Sequence, residues 1–144
     1  MNLPESSRSA PGARREILIT SEHDVIQART GAKRMADETG FSIPDSVKIA
    51  TVVSELARNI VVYAQKGRVE FEVFRTPRVG IEIVAVDDGP GIADVAHVLS
   101  GKYRSRTGMG LGLVGSKRLV DEFSVDSAPG KGTRVVARKY VVPR

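Results

Sequence analysis

Apolar and polar positions along this chain fall into two alternating periods. Residues 15–20 (REILIT) form a short strand run, and Ser21 follows as a helix N-cap. From Glu22 to Thr39, the residues Val25, Ile26, Ala28, Ala32, Met35 and Ala36 recur near helical spacing, and Gly40 supplies the stop. A second helix opens at residues 42–44. Pro44 sits near the first turn, where its missing N–H costs nothing, and Asp45 suits the positive end of the helix. Ile49, Val53, Leu56 and Ile60 continue this helix as an apolar stripe to about Ala64. Val69, Phe71 and Val73 then alternate with Glu70 and Glu72, and after a turn near Pro77 the run VGIEIVAVD completes an antiparallel hairpin. Residues 111–121 return to helix, and residues 123–142 read as two strands around a Pro-Gly-rich turn. Strands that pair mainly with sequence neighbours, with helices free to cover one face, predict an α+β two-layer sandwich. Its sheet is mixed but mostly antiparallel, and it is not a doubly wound parallel fold.

Composition narrows the chemistry. At 144 residues the chain is one domain, and such a chain buries roughly two-thirds of its unfolded surface. Residues 1–14 read as a polar, flexible tail and residues 15–144 as a single folded unit. There is no cysteine, which excludes disulfides, thiolate metal sites and cysteine nucleophiles. His23 and His97 are the only histidines and stand at no metal-ligand spacing, so neither a zinc site nor a Ser-His-Asp triad is expected. No apolar run approaches the roughly 20 residues that span a bilayer, and the N-terminus lacks a signal-peptide core. The expected compartment is the cytoplasm, with no membrane partner. The formal charge of +5 is spread along the chain and aromatics are only 5%, a poor surface for stacking bases. An anionic small ligand accounts for that balance at least as well as nucleic acid does. The oligomeric state is not encoded in any pattern of this kind.

Three segments carry candidate chemistry. On the second helix Thr51, Glu55, Arg58, Asn59 and Val62 share a face distinct from the apolar stripe. Glu55 and Asn59 stand one turn apart. A carboxamide oxygen there suits a hydrated Mg2+ and a carboxylate suits proton acceptance, although a solvated helix face has the same pattern. Next, the segment DDGPGI (residues 87–92) follows directly on a strand. Its parity puts Asp87 on the side of Ile81, Ile83 and Ala85. A carboxylate aimed into a core requires a donor, and an exocyclic adenine amine is one. Gly89 and Gly91 allow a sharp turn and close approach to a flat ligand, while the plain alternative is an Asp capping its own turn. Third, Gly108, Gly110 and Gly112 lead into a helix, where free N–H groups and the helix dipole favour phosphate. A basic stretch (GKYRSRT) precedes them rather than a strand, which argues against a Rossmann unit, and no G-K-[ST] closes a Walker A loop.

In combination and in this order, E-x-x-x-N on a helix, D-x-G-x-G after a strand and G-x-G-x-G into a helix resemble the N, G1 and G2 boxes of the GHKL (Bergerat-fold) ATPase/kinase superfamily. GKGT (residues 130–133) resembles its late Gly-Thr element. The phrases ETGFSIPDSVKIATVVSELARNIVVYA, VDDGPGI, GMGLGLVGSKRLVDEF and PGKGT are similar to RsbT-type switch kinases of bacterial stressosomes, across about residues 15–142. That resemblance implies an ATP- and Mg2+-dependent serine/threonine kinase. Its substrates would be STAS-domain proteins, and on release it would bind and activate a PP2C-type phosphatase or that enzyme's N-terminal domain. The related alternatives are an RsbW-type anti-sigma factor kinase, or an ATP-gated binding module without turnover. The resemblance further implies that Asp87 bonds the adenine amine with Thr133 assisting, and that Gly89, Gly91 and Ile92 shape the base pocket. Asn59 would hold Mg2+. Gly108, Met109, Gly110, Leu111 and Gly112 would line the phosphate chain, and Glu55 would be the general base. Lys102, Arg104 and Arg106 fall where the superfamily keeps a lid, and are equally readable as a solvated basic loop. The basic residue that histidine kinases often place three positions after the box Asn is replaced here by Val62. Phosphate neutralisation then falls to Arg58 and the lid.

Overall fold

The computed structural model describes residues 13–100 and 109–143, with residues 109–111 described in backbone only. Among the described residues, five strands and four α-helices follow in the order β1 (Arg14–Ile19), α1 (Glu22–Thr39), α2 (Ile43–Asn59), β2 (Gly67–Phe74), β3 (Gly80–Asp87), α3 (Val95–Leu99), α4 (Met109–Leu119), β4 (Glu122–Ser127) and β5 (Thr133–Tyr140). The sheet order is β1-β2-β3-β5-β4, and every pairing is antiparallel. The α+β expectation therefore holds, with the sheet at the wholly antiparallel end of it. No described helix is long and apolar enough to cross a membrane.

Period-two alternation decides which face is buried. Ile17 and Ile19 of β1, Val69, Phe71 and Val73 of β2, Ile81, Ile83 and Ala85 of β3, and Val135 and Ala137 of β5 all turn toward the helices and are buried. The opposite face carries charge, including the ladders Arg14–Glu70 (3.2 Å) and Arg138–Glu82 (2.7 Å). Helix α1 packs on α2, and α2 on α4, closing the second layer.

Helix ends follow the local chemistry. Ser42 Oγ accepts the Asp45 N–H at 3.2 Å, and Gly40 closes α1 in the left-handed conformation at φ 106°. Beyond Asn59 the α-helix does not simply continue to Ala64 as its apolar stripe suggests. It widens into a π turn over Ile60–Ala64. At the far end of the molecule Lys139, almost wholly buried, donates to the Leu119 carbonyl at 3.0 Å and lies 3.8 Å from Asp45. One ammonium thus ties the C-terminal end of α4 to the N-terminal end of α2, and sets the two helices side by side.

Candidate functional site

A cavity of about 240 Å3 opens between the sheet and the helical layer. The α2 helix and its π turn contribute Leu56, Asn59, Ile60 and Tyr63. The end of β3 contributes Ala85 and Asp87, the following loop Pro90, Gly91 and Ile92, helix α4 Leu113, and β5 Thr133 and Val135. The lining is mainly apolar with a few convergent polar groups, the pattern of a small-ligand pocket.

Asp87 takes the inward parity expected for it and is half-buried, opposite Thr133 in the β3–β5 register. Its Oδ1 accepts the Gly89 N–H at 2.9 Å. Burial pushes its carboxyl above the ordinary value. The Gly89 N–H opposes that shift, the neighbouring charge of Asp88 adds to it, and the Thr133 N–H opposes it again. Asp87 thus caps its own turn and also lines the pocket.

Two loops cross beneath this carboxylate, and glycine is required where they touch. Gly91 (φ 78°) passes so close to the Ala128 carbonyl that a Cβ would collide with it. Gly132 (φ 74°) stands in the same relation to the carbonyl of Asp87. Gly89 lies against Ala64, where a Cβ would be 2.7 Å from the alanine methyl. Ser127 joins the two loops. Its Oγ accepts the Ile92 N–H at 2.8 Å, donates to the Gly132 carbonyl at 2.7 Å and lies 2.9 Å from Thr133 Oγ1. The Gly130 N–H completes the tie by donating to the Pro90 carbonyl at 2.8 Å. Sequence reasoning found both loops but not Ser127, whose only signal is its inward parity at the end of β4.

Beside Asn59, α4 packs on the polar face of α2. A methyl group placed on Gly112 would stand 3.1 Å from Glu55 Oε2 and 3.8 Å from Asn59 Oδ1. Glu55, Asn59 and the first turn of α4 are thereby brought together. Residues 109–112 form that first turn, so their N–H groups have no partner within the helix. Neither Glu55 nor Arg58 lines the cavity, and the Arg58 guanidinium pairs with Glu55 and with Glu22. Gly108, Lys102, Arg104 and Arg106 lie outside the described residues.

The Tyr63 hydroxyl is buried with no hydrogen-bond partner among the described residues. It stands one turn beyond Asn59, a spacing that sequence reasoning did not use. An orphaned hydroxyl in a pocket wall, a half-buried carboxylate and backbone cradles that only glycine permits together fit a planar, hydrogen-bonding ligand with an anionic tail. Among the described residues no three His, Asp or Glu side chains are grouped to hold a metal. A divalent cation here would take Asn59 and otherwise the ligand's own oxygens and water, the habit of Mg2+ rather than of a caged metal.

The pattern of the histidine kinase-, DNA gyrase B- and HSP90-like ATPase family matches residues 44–142. The chain is 42% identical over 126 residues to the serine/threonine-protein kinase RsbT of Bacillus subtilis, covering 87% of this chain and 95% of that relative. It is 30% identical over 121 residues to an anti-sigma F factor of Caldanaerobacter subterraneus, covering 79% and 83%. In fold it is similar to the histidine kinase domain of the blue-light activated kinase of Erythrobacter litoralis, with a TM-score of 0.51 at 18% identity. That likeness covers 83% of this chain and 60% of the other.

Proposed function

Because the chain belongs to the histidine kinase-, DNA gyrase B- and HSP90-like ATPase family, we propose that it is an ATP-dependent serine/threonine kinase of RsbT type, acting on a partner protein in a switching pathway. The observation that carries the reading is that Asn59 and Asp87 line one cavity, and that Gly112 packs against Asn59 and Glu55 beside it.

ATP with Mg2+, when bound, supplies a transferable γ-phosphoryl group and a cation that offsets its charge. The protein's share is positioning. Asp87 accepts a hydrogen bond from the base, with Thr133 beside it, and the crossed loops at Gly91 and Gly132 form the floor. Asn59 would hold the cation, and the first-turn amides of α4 would face the phosphates. Glu55 would take the proton of the acceptor hydroxyl as its oxygen bonds to the γ-phosphorus, while the bond from that phosphorus to the β,γ-bridging oxygen breaks and ADP leaves. The same reading makes STAS-domain proteins the substrates and a PP2C-type phosphatase, or its N-terminal domain, the partner bound on release. The proposed compartment is the cytoplasm.

The kinship to anti-sigma F factors favours a second reading, a kinase that also sequesters a sigma factor. Labelled ATP, Mg2+ and purified STAS-domain proteins test the first reading. Expected are heat of ATP binding in calorimetry and a phosphorylated Ser or Thr on the acceptor. Binding without any phosphoprotein would reduce the chain to an ATP-gated module, and co-purification with a sigma factor would favour the anti-sigma reading.

Gly112→Ala probes the same geometry. Alanine is favoured over glycine inside a helix by about 1 kcal/mol, so the thermal midpoint should stay at or above that of the wild type. The added methyl crowds Glu55 Oε2, and transfer should fall by about tenfold. Lower stability with unchanged transfer would count against this packing.

A further inference from the structure

Beside the cavity, and outside it, one guanidinium serves two carboxylates on two helices. Arg58 Nη1 donates to Glu55 Oε1 at 3.3 Å, one turn back along α2. Arg58 Nε donates to Glu22 Oε1 at 3.3 Å, in the first turn of α1. The three side chains are 47% (Arg58), 37% (Glu55) and 62% (Glu22) exposed. Exposed pairs of this kind contribute only about 0.2–1 kcal/mol, so stability is a poor account of the arrangement.

Its geometric effect is larger than its energetic one. With Oε1 engaged by Arg58, the carboxylate of Glu55 turns its second oxygen, Oε2, toward Gly112 in the first turn of α4. One oxygen is fixed and the other is left to accept a proton. A free glutamate side chain on an exposed helix face samples several rotamers, and only a fraction of them put Oε2 there. A planar guanidinium addresses two carboxylates at fixed angles through separate nitrogens, which the single ammonium of lysine does not reproduce.

We infer that Arg58 is a positioning residue that orients Glu55 for proton acceptance, and that Glu22 holds Arg58 in place from α1. The inference rests on the kinase reading above. It also changes the part expected of Arg58 from the sequence: the guanidinium acts through the base rather than on the phosphates. Turnover thereby becomes sensitive to Glu22, a residue that does not line the cavity.

The test compares wild type with Arg58→Ala, Arg58→Lys and Glu22→Gln. It uses [γ-32P]ATP with Mg2+ and a purified STAS-domain acceptor, and calorimetry for ATP affinity. Arg58→Ala should lower kcat by about 10–100-fold while the KM and affinity for ATP stay within about twofold. Arg58→Lys should restore part of kcat, and Glu22→Gln should cost a few-fold. Retained ATP affinity certifies that each variant is folded. A raised KM for ATP at unchanged kcat would put Arg58 on the phosphates and overturn the inference, as would wild-type kcat in Arg58→Ala. If wild type binds ATP yet labels no acceptor, the kinase reading itself fails and the inference with it. That result is distinct from one in which only the variant is unaffected.

Discussion

Glu55→Gln should lower the rate of phosphoryl transfer by about 10²–10⁴-fold, the usual contribution of a general base, with ATP affinity nearly unchanged. Glutamine keeps the length of the side chain and an oxygen for Arg58, but its amide does not take up a proton at neutral pH. The fold should be indifferent to the change, because the ion pair it weakens is largely exposed. Single-turnover transfer measured beside calorimetry separates chemistry from binding. Transfer at the wild-type rate would remove Glu55 from the mechanism, and a parallel loss of ATP affinity would show that the side chain binds nucleotide instead.

Asp87→Asn should act in the opposite sense on binding and on stability. Replacing the carboxylate exchanges an acceptor-only group for one that also donates. On the proposed reading the adenine amine then loses a charge-assisted hydrogen bond, and ATP affinity should drop by about 10²–10³-fold. In the ligand-free protein, however, burial raises the carboxyl of Asp87 above its ordinary value, with Asp88 adding to the effect and the Gly89 and Thr133 N–H groups opposing it. The folded state therefore holds that proton more tightly than the unfolded chain does. This contribution to stability is complete below the ordinary carboxylate range and is lost as pH rises through the folded value. At neutral pH ionised Asp87 works against the fold, and asparagine relieves it. The ligand-free variant should melt a few degrees above wild type near pH 7, with the gap narrowing toward about pH 4. Thermal scans across that range check the sign. A variant less stable than wild type at pH 7 would mean that the carboxylate's own hydrogen bonds outweigh its desolvation.

Much of this site was legible because its residues sit on regular elements. Strand parity alone aimed Asp87 inward, and helical spacing alone put Glu55 and Asn59 on one face. What stayed hidden depends on how elements meet. The π turn after Asn59 gives no signal, since Ile60 continues the apolar stripe and no Gly or Pro interrupts it. Helix α3 is five residues long, too short for a period to declare itself inside a Gly-rich segment. Ser127 and Tyr63 are single polar residues whose importance arises only from what lies across the cavity or the loop. The Glu22–Arg58 contact joins residues 36 apart in sequence, and no local rule brings them together.

The place of β5 has a consequence for how the molecule comes into being. This strand follows all the others in the chain, yet it lies inside the sheet, between β3 and β4. Until it arrives, β3 has only β2 as a neighbour and β4 has none, and Asp87 lacks Thr133 opposite it. Residues through β5 must therefore be available before the Asp87 side of the cavity exists, and long-range insertion of this kind is slow compared with hairpin closure. The cavity wall that Thr133 and Val135 supply and the completed sheet therefore arise in a single event.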